Sequence, residues 1–103
     1  MLNFKRDHFT GKLYDGEVDG YYVMAQIFEP PSHYGIAEGR ISRLYIFKNR
    51  EASKYFLNHL INYDRGWDGG APHDARIRGI IEKLVQYYDQ KQVDWSFEES
   101  RSK

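Results

Sequence analysis

Asn62-Tyr63-Asp64-Arg65-Gly66-Trp67-Asp68-Gly69-Gly70 is the stretch where strand-like alternation gives way to helical periodicity. Its three glycines favour a tight change of chain direction, because glycine adopts backbone conformations that other residues avoid. Two carboxylates, a guanidinium and two aromatic rings lie among them, which is the densest chemistry in the chain. We therefore predict that this stretch is the corner between the last strand and a helix, and part of any functional surface.

A helix is predicted to follow this corner. Pro72 suits a first helical turn, where its missing amide hydrogen costs nothing, and the carboxylate of Asp74 suits the positive end of the helix dipole. The apolar residues beyond them recur every three or four positions and form one stripe: Ile77, Ile80, Ile81, Leu84, Val85 and Tyr88. Burial of that stripe against a sheet is the predicted core.

The residues before the corner show the pattern of antiparallel strands. Asp19-Gly20 predicts a two-residue hairpin turn, in which both central residues need a positive φ. Tyr21 to Phe28 alternates with apolar residues on both faces, which indicates a central strand, and Arg40 to Phe47 indicates a further strand. Residues 1–10 are ambiguous and compatible with an edge strand.

The segment from Ala52 to Asn62 fits both helical and strand spacing. We favour a short helix or irregular turn to about Asn58, then a strand from His59 to Asp64. The resulting fold class is α+β: a small antiparallel meander of three to four strands packed against one C-terminal amphipathic helix. Residues 1–97 are expected to form a single domain, and residues 98–103 a polar C-terminal tail.

Composition narrows the classes of function. The chain of 103 residues balances 15 basic against 15 acidic residues, so it lacks the field that non-specific nucleic-acid binding needs. The absence of cysteine excludes thiol catalysis and thiolate metal sites. No apolar run reaches membrane-spanning length, and the start lacks the apolar core of a signal peptide. We therefore predict a cytoplasmic protein with neither a membrane nor a nucleic-acid partner.

The aromatic content, 17%, is high for a domain of this size. Two interpretations remain open: large side chains filling a small core, and an aromatic surface that binds a partner. Near the C-terminus Val93, Trp95 and Phe97 alternate. This pattern fits a short strand, a cover over the core or an anchor for a partner.

The sequence shows no catalytic motif, no local pair of histidine ligands and no phosphate-binding glycine loop. It therefore predicts a non-enzymatic protein without cofactor or metal, although paired use of Asp64 and Asp68 in acid–base chemistry stays open. The candidate residues for binding a ligand or partner share polar or aromatic character near predicted loops. They are His33, Tyr34, Arg40, Arg43, Asp64, Arg65, Trp67 and Asp68.

A meander would bring the loop Pro31–Gly39 to the same end of the sheet as Asp64 and Arg65. In that arrangement Tyr34 and Arg40 would share one surface with these two residues.

Three segments together resemble a family of small uncharacterised domains from bacteria, their phages and prophages. They are Pro31-Ser32-His33-Tyr34-Gly35-Ile36, Gly39-Arg40-Ile41-Ser42-Arg43-Leu44 and Tyr63-Asp64-Arg65-Gly66-Trp67-Asp68. The resemblance covers roughly residues 11–90, and the stretch between Phe47 and Asn62 is longer than the family pattern. It carries over no catalytic residues. It implies a phage or mobile-element setting, whose small proteins bind and inhibit host factors, defence systems included, or sequester signalling nucleotides.

The first functional hypothesis is therefore a non-enzymatic binding protein that engages a host or phage protein, in the host cytoplasm if the gene is carried by a phage. A binder of a small anionic ligand or nucleotide is the second, and it includes a homodimer that completes the pocket. A metal-dependent hydrolase that uses Asp64 and Asp68 is the third.

Overall fold

The computed structural model of the chain describes residues 3–7 and 11–101. It contains one antiparallel sheet whose strands pair in chain order. The strands are β1 (Asn3–Asp7), β2 (Gly11–Val18), β3 (Tyr21–Ile27), β4 (Ile41–Phe47) and β5 (Ile61–Asp64), and the helices are α1 (Ala75–Asp89) and α2 (Trp95–Glu99). The predicted α+β meander with a C-terminal helix is confirmed. The sheet has five strands, because part of the ambiguous N-terminal segment forms β1.

The hairpin between β2 and β3 is the predicted one. Asp19 and Gly20 both have positive φ, 51° and 86°, and Val18 pairs directly with Tyr21. This geometry matches the right-handed twist of the flanking strands. The turn fixes which residues of β2 and β3 lie opposite each other, and hence which side chains share a face.

One face of the sheet and the apolar stripe of α1 form the core. Direct cross-strand partners share a face, so Ala25, Leu44 and Tyr63 form one row and Val23, Ile46 and Ile61 form the next. The buried cluster joins both rows to the predicted helix stripe, whose buried members are Ile77, Ile80, Ile81, Leu84 and Val85. The predicted core is therefore confirmed at these positions.

The opposite face of the sheet is only partly covered. Met24, Tyr45 and Asn62 form one cross-strand row there, and Met24 is exposed. Tyr22 and Phe47 are buried on this face, and the guanidinium of Arg50 lies 4.6 Å from the centre of the Tyr22 ring. Cover on this side thus comes from the segment after β4, whereas α1 covers the other side.

That segment consists of two short 3₁₀ turns, Ala52–Lys54 and Phe56–Asn58. The irregular turn to about Asn58 is confirmed. The strand begins at Ile61 and not at His59, because the amide of His59 closes the preceding 3₁₀ turn on the carbonyl of Phe56. The chain then enters the sheet with the bond from the amide of Leu60 to the carbonyl of Ile46. The chain therefore returns to the sheet with only four residues in β5.

The start of α1 differs from the prediction. Pro72 and Asp74 lie before the helix, which begins at Ala75. The side chain of Asp74 is the N-cap and accepts from the amides of Arg76 (2.8 Å) and Ile77 (3.1 Å). An N-cap carboxylate satisfies amide groups that have no partner within the helix, and Asp74 does so from just outside it.

Two tyrosine side chains, one in the sheet and one packed against it, have raised pKa values. Burial, reinforced by a hydrogen bond from the hydroxyl to Asp15, raises the pKa of Tyr22 to about 12. Burial also raises the pKa of Tyr88 to about 12. In the unfolded chain a tyrosine titrates near a pKa of about 10. Both groups therefore bind protons more tightly in the folded state.

We predict a loss of stability in alkali. Below about pH 10 the folded and the unfolded chain both keep these two tyrosine protons, so the stabilisation that the tyrosines provide is fully present. Between about pH 10 and 12 only the unfolded chain releases the protons, and the free energy of unfolding falls as the pH rises. Urea unfolding between about pH 9 and 12 measures how steeply the free energy of unfolding falls with pH. This range begins below the ordinary tyrosine pKa of about 10. The slope should be shallower in Tyr22→Phe, and an unchanged slope would contradict the assignment.

Candidate functional site

The three segments that carry the family resemblance meet at one end of the sheet. The hydroxyl of Tyr63 donates to the carbonyl of Tyr34 at 2.6 Å, which ties β5 to the loop between β3 and β4. The amide of Arg65 donates to the carbonyl of Ser42 at 2.9 Å, which ties the following turn to β4. Burial raises the pKa of Tyr63 well above its usual range, so its hydroxyl stays a donor.

The turn after β5 is tight. Arg65 adopts a positive φ of 57°, and the amide of Asp64 donates to the carbonyl of Gly66. The chain then folds back beside β5, where Trp67 forms an isolated bridge with Tyr63 and their rings make an edge contact at 4.7 Å. Both rings are fully buried, so the two aromatic side chains of the opening stretch serve packing.

Two glycines allow the loop between β3 and β4 to close. A Cβ atom on Gly35 would lie 2.1 Å from the carbonyl oxygen of Gly39, and a Cβ atom on Gly39 would lie 2.1 Å from Oδ2 of Asp89. Gly35 therefore requires glycine for reasons of space, whereas a side chain at Gly39 would displace the carboxylate of Asp89. The close approach brings the loop against the C-terminal end of α1.

Arg40 fastens the same loop to α1. Its amide donates to both carboxylate oxygens of Asp89 at 3.0 and 3.1 Å, and its guanidinium donates to the carbonyls of Phe28 and Tyr88 at 2.8 and 3.1 Å. The predicted binding residue Arg40 thus serves as a link between the loop and the helix end.

The residues after α1 complete this end of the molecule. The carboxylate of Glu98 is fully buried and accepts from the indole Nε1 of Trp67 at 3.0 Å and from the amide of Ala37 at 2.9 Å. Nη1 of Arg101 lies 3.6 Å from Oε2 of Glu98. Glu98 therefore does not belong to a solvent-exposed polar tail, as was predicted for residues 98–103. A carboxylate can be buried here because two N–H donors and a guanidinium surround it.

Arg101 adds the second half of this contact. Its guanidinium donates to the carbonyls of Gly35 (2.8 Å) and His33 (2.7 Å), and its own carbonyl accepts from the amide of Trp67 at 3.2 Å. We call residues 95–101 the C-terminal clasp. Of the alternatives given for Val93, Trp95 and Phe97, cover over the core is correct for Val93 and Trp95, which pack against the buried cluster.

The structure separates the predicted site residues into three groups. His33 and Tyr34 are exposed on the loop, where His33 lies 3.3 Å from Glu38. Arg43, Asp64 and Arg65 form an exposed ion-pair group, in which Asp64 lies 3.3 Å from Arg43 and 3.7 Å from Arg65.

The remaining predicted residues lie elsewhere. Trp67 is buried, Arg40 is bound to α1, and the carboxylate of Asp68 accepts from the side chain of Asn62 at 3.3 Å. The shared end of the sheet is as expected from the meander. Arg40 nevertheless bonds to the helix side, whereas Arg43 and Asp64 are paired on the opposite face of the sheet.

A surface that the sequence did not single out lies at the opposite end of the sheet. We call it the apolar ridge, and its members are large apolar side chains left exposed between β4 and β5: Tyr55 (69% exposed), Phe56 (47%), Leu57 (89%) and Leu60 (49%). Phe56, Leu57 and Leu60 fit both helical and strand spacing in the sequence, which did not show that they are exposed. The signal that was available is the cluster of charged and polar residues before Tyr55, which marks a solvent-facing segment.

An open pocket of about 610 Å³ adjoins this ridge through Leu60. It lies between the sheet and the segment that leads into α1. Two cationic or titratable side chains, Lys48 and His73, and two carboxylates, Asp68 and Asp74, are among its lining residues. One lysine faces two carboxylates, so the pocket does not select for an anion.

Within residues 3–7 and 11–101, no three histidine, aspartate or glutamate side chains lie close enough together to hold a metal ion. Among the same residues, no helix is both long and apolar enough to cross a membrane.

The fold and this motif-bearing end define a small α+β domain closed by its own C-terminal segment. The chain belongs to the family described as "Domain of unknown function (DUF7678)", whose model matches residues 12–89. The match includes all three motif segments, whereas Glu98 and Arg101 lie beyond it. Comparisons with curated proteins and with solved structures gave no match. The expectation of an uncharacterised family is confirmed; the phage or prophage setting stays a prediction.

We predict that Gly35→Ala destabilises the protein by roughly 2 kcal/mol, because the new methyl group would overlap main-chain atoms that cannot move independently. Gly79→Ala is the matched control. A Cβ atom at Gly79 would meet nothing within 4 Å, and alanine in the middle of α1 should stabilise by about 1 kcal/mol. Urea unfolding of both variants provides the test, and equal effects of the two substitutions would contradict it.

We further predict that Glu98→Ala destabilises by about 3 kcal/mol, since it leaves two buried N–H donors and a nearby guanidinium without their acceptor. The control is Glu99→Ala, which removes a half-exposed carboxylate paired with Arg78 and should cost at most about 1 kcal/mol. Chemical unfolding of the two variants separates the outcomes. Similar losses in both would show that burial of Glu98 contributes little.

Proposed function

We propose that the chain is a non-enzymatic binding protein that engages a partner protein through the apolar ridge. The observation that carries this proposal is the exposure of Leu57, of which 89% is accessible to solvent beside the exposed Tyr55 and Phe56. Contiguous large apolar side chains on a surface mark interaction sites more often than isolated ones do. A structural role would bury them, as the core buries the isoleucines of α1.

The composition of the ridge fits protein recognition. Aromatic and leucine side chains bury a large area with few rotatable bonds, and tyrosine keeps a polar group for the edge of an interface. Phe56 is held in place by ring contacts with Tyr45 (5.1 Å) and His59 (4.7 Å). A side chain that is fixed before binding loses less entropy when a partner covers it.

The charges around the ridge indicate the chemistry of the partner. Between β4 and β5, residues 48–60 hold three basic residues, Lys48, Arg50 and Lys54, against one acidic residue, Glu51. Lys54 pairs with Glu51, and Arg50 lies 3.6 Å from Asp15. This local excess of positive charge contrasts with the neutral chain as a whole. The complementary partner presents an apolar groove with an acidic rim, which would speed association at low salt.

The wider setting is a proposal of the same kind. A host protein, such as a component of a defence system, is the partner that the family resemblance suggests for a phage-encoded domain. Cytoplasmic location agrees with a partner of that sort. The neutral net charge supports a protein partner over a nucleic acid.

A small-ligand role is the second candidate, and the pocket of about 610 Å³ beside Leu60 is the observation that favours it. Pockets of this size accommodate a nucleotide-sized molecule. The carboxylates of Asp68 and Asp74 within it disfavour phosphate groups, so the pocket supports this role less strongly than the ridge supports protein binding.

We predict that Leu57→Asp weakens partner binding at least tenfold, roughly the effect of removing an apolar anchor from an interface centre. The tagged chain would be used to capture proteins from the organism that encodes it, and the captured protein, once purified, would be titrated against each variant. Because Leu57 is almost fully exposed, the substitution should leave the unfolding midpoint unchanged.

Tyr34→Ala is the matched control, since it removes an exposed aromatic side chain at the opposite end of the sheet. It should bind the partner as the wild type does. If Tyr34→Ala abolishes binding and Leu57→Asp does not, the loop surface and not the ridge is the site. Absence of any specific partner would count against the proposal.

A further inference from the structure

The end of α1 lacks the local signals that normally stop a helix. The chain turns at Gln90, which adopts a left-handed conformation with φ 54° and ψ 42°. Residues 90–94, Gln-Lys-Gln-Val-Asp, include neither glycine nor proline. A residue with a Cβ atom disfavours this conformation, which glycine usually occupies at helix ends. Besides the bond from the amide of Gln90 to the carbonyl of Gln86, contacts made further along the chain therefore help to hold the turn.

Those contacts are the polar bonds of the C-terminal clasp. We call the groups that it meets the receptor: the indole N–H of Trp67, the amide of Ala37, and the carbonyls of His33 and Gly35. Glu98 binds the two donors and Arg101 binds the two carbonyls, and these residues are three apart on one helical turn. The receptor therefore recognises a Glu-x-x-Arg pair on a turn of helix.

The receptor lies inside the part of the chain that matches the family, and the clasp that binds it lies outside. All four receptor groups lie within residues 12–89, the range of the family match, whereas the clasp lies outside that range. The link between them is the five-residue segment 90–94 alone. The segment holds no glycine or proline, and the residue in it that favours a break is Asp94, the N-cap of α2. As a continuous helix it would carry the clasp about 7.5 Å beyond the present end of α1.

We infer that the clasp is exchangeable between copies, so that the receptor of one chain binds Glu98 and Arg101 of a second copy of the same chain. The bonds made in the exchanged pair are those of the single chain. The two states differ at the hinge. Helical continuation at Gln90 is set against the loss of the intramolecular connection and of two hinge contacts, the bond from Nζ of Lys91 to the carbonyl of Ala37 and the cap of α2 by Asp94. The single chain thus prevails at low concentration and the exchanged dimer gains at high concentration.

The first experiment measures the receptor directly. The probe is a fluorescent peptide of residues 93–103, and its binding by full-length wild type is compared with that of full-length Glu98→Ala/Arg101→Ala, whose own clasp no longer competes. The double variant should bind the peptide on the order of a hundredfold more tightly than the wild type. A peptide carrying Glu98→Ala should not bind. A folded double variant that ignores the native peptide would overturn the inference.

The second experiment uses the hinge and does not depend on the stability of that variant. Light scattering over a concentration series gives the dimer dissociation constant of Gln90→Ala, which favours a helix, and of Gln90→Gly, which favours the turn. The dimer dissociation constant should be about thirtyfold lower for the alanine variant. Alanine favours the helix over glycine at each hinge, and a dimer contains two hinges. Equal constants, or no dimer in either variant, would overturn the exchange. Leu57→Asp should not change the result, which separates this dimer from binding at the ridge.

Discussion

The buried carboxylate of Glu98 is the contact on which this end of the molecule depends. It joins the indole of Trp67 to the amide of Ala37, two groups far apart in the chain. Ala37 and Glu38 hold positive φ values of 57° and 54°, a backbone conformation that costs roughly 1 kcal/mol or more per residue without glycine. Bonds to the carboxylate and to Arg101 offset that cost. The loop, the turn after β5 and the C-terminal clasp therefore stabilise one another.

The same organisation divides the molecule functionally. At the motif-bearing end, three side chains of the motif segments bond within the chain: Arg40 to α1, Tyr63 to the loop and Trp67 to the clasp. At the opposite end, the segment between β4 and β5 leaves Tyr55 and Leu57 exposed. The densest chemistry in the sequence thus builds the fold, and the exposed apolar surface carries the proposed binding.

Much of the fold follows from local rules that need no partner. The turn at Asp19-Gly20 needs only positive φ, and the stripe of α1 needs only a period of about 3.6 residues. Two element boundaries were predicted wrongly because a local contact shifts each of them. Pro72 precedes α1 because the side chain of Asp74 caps the helix, and β5 begins after His59 because the amide of His59 closes the preceding turn on the carbonyl of Phe56. The predicted binding residues lie apart because long-range contacts hold two of them: α1 binds Arg40, and Glu98 binds Trp67.

The sequence by itself determined the α+β class, the central strands, the amphipathic helix and the corner between the last strand and that helix. Alternation and helical periodicity record which face of each element is apolar, so they can be read without coordinates. Only the tertiary structure decided that Glu98 belongs to the core and that Leu57 does not. Both outcomes depend on which segments meet after folding: a carboxylate is buried only where donors converge on it, and a leucine stays exposed where no element covers it.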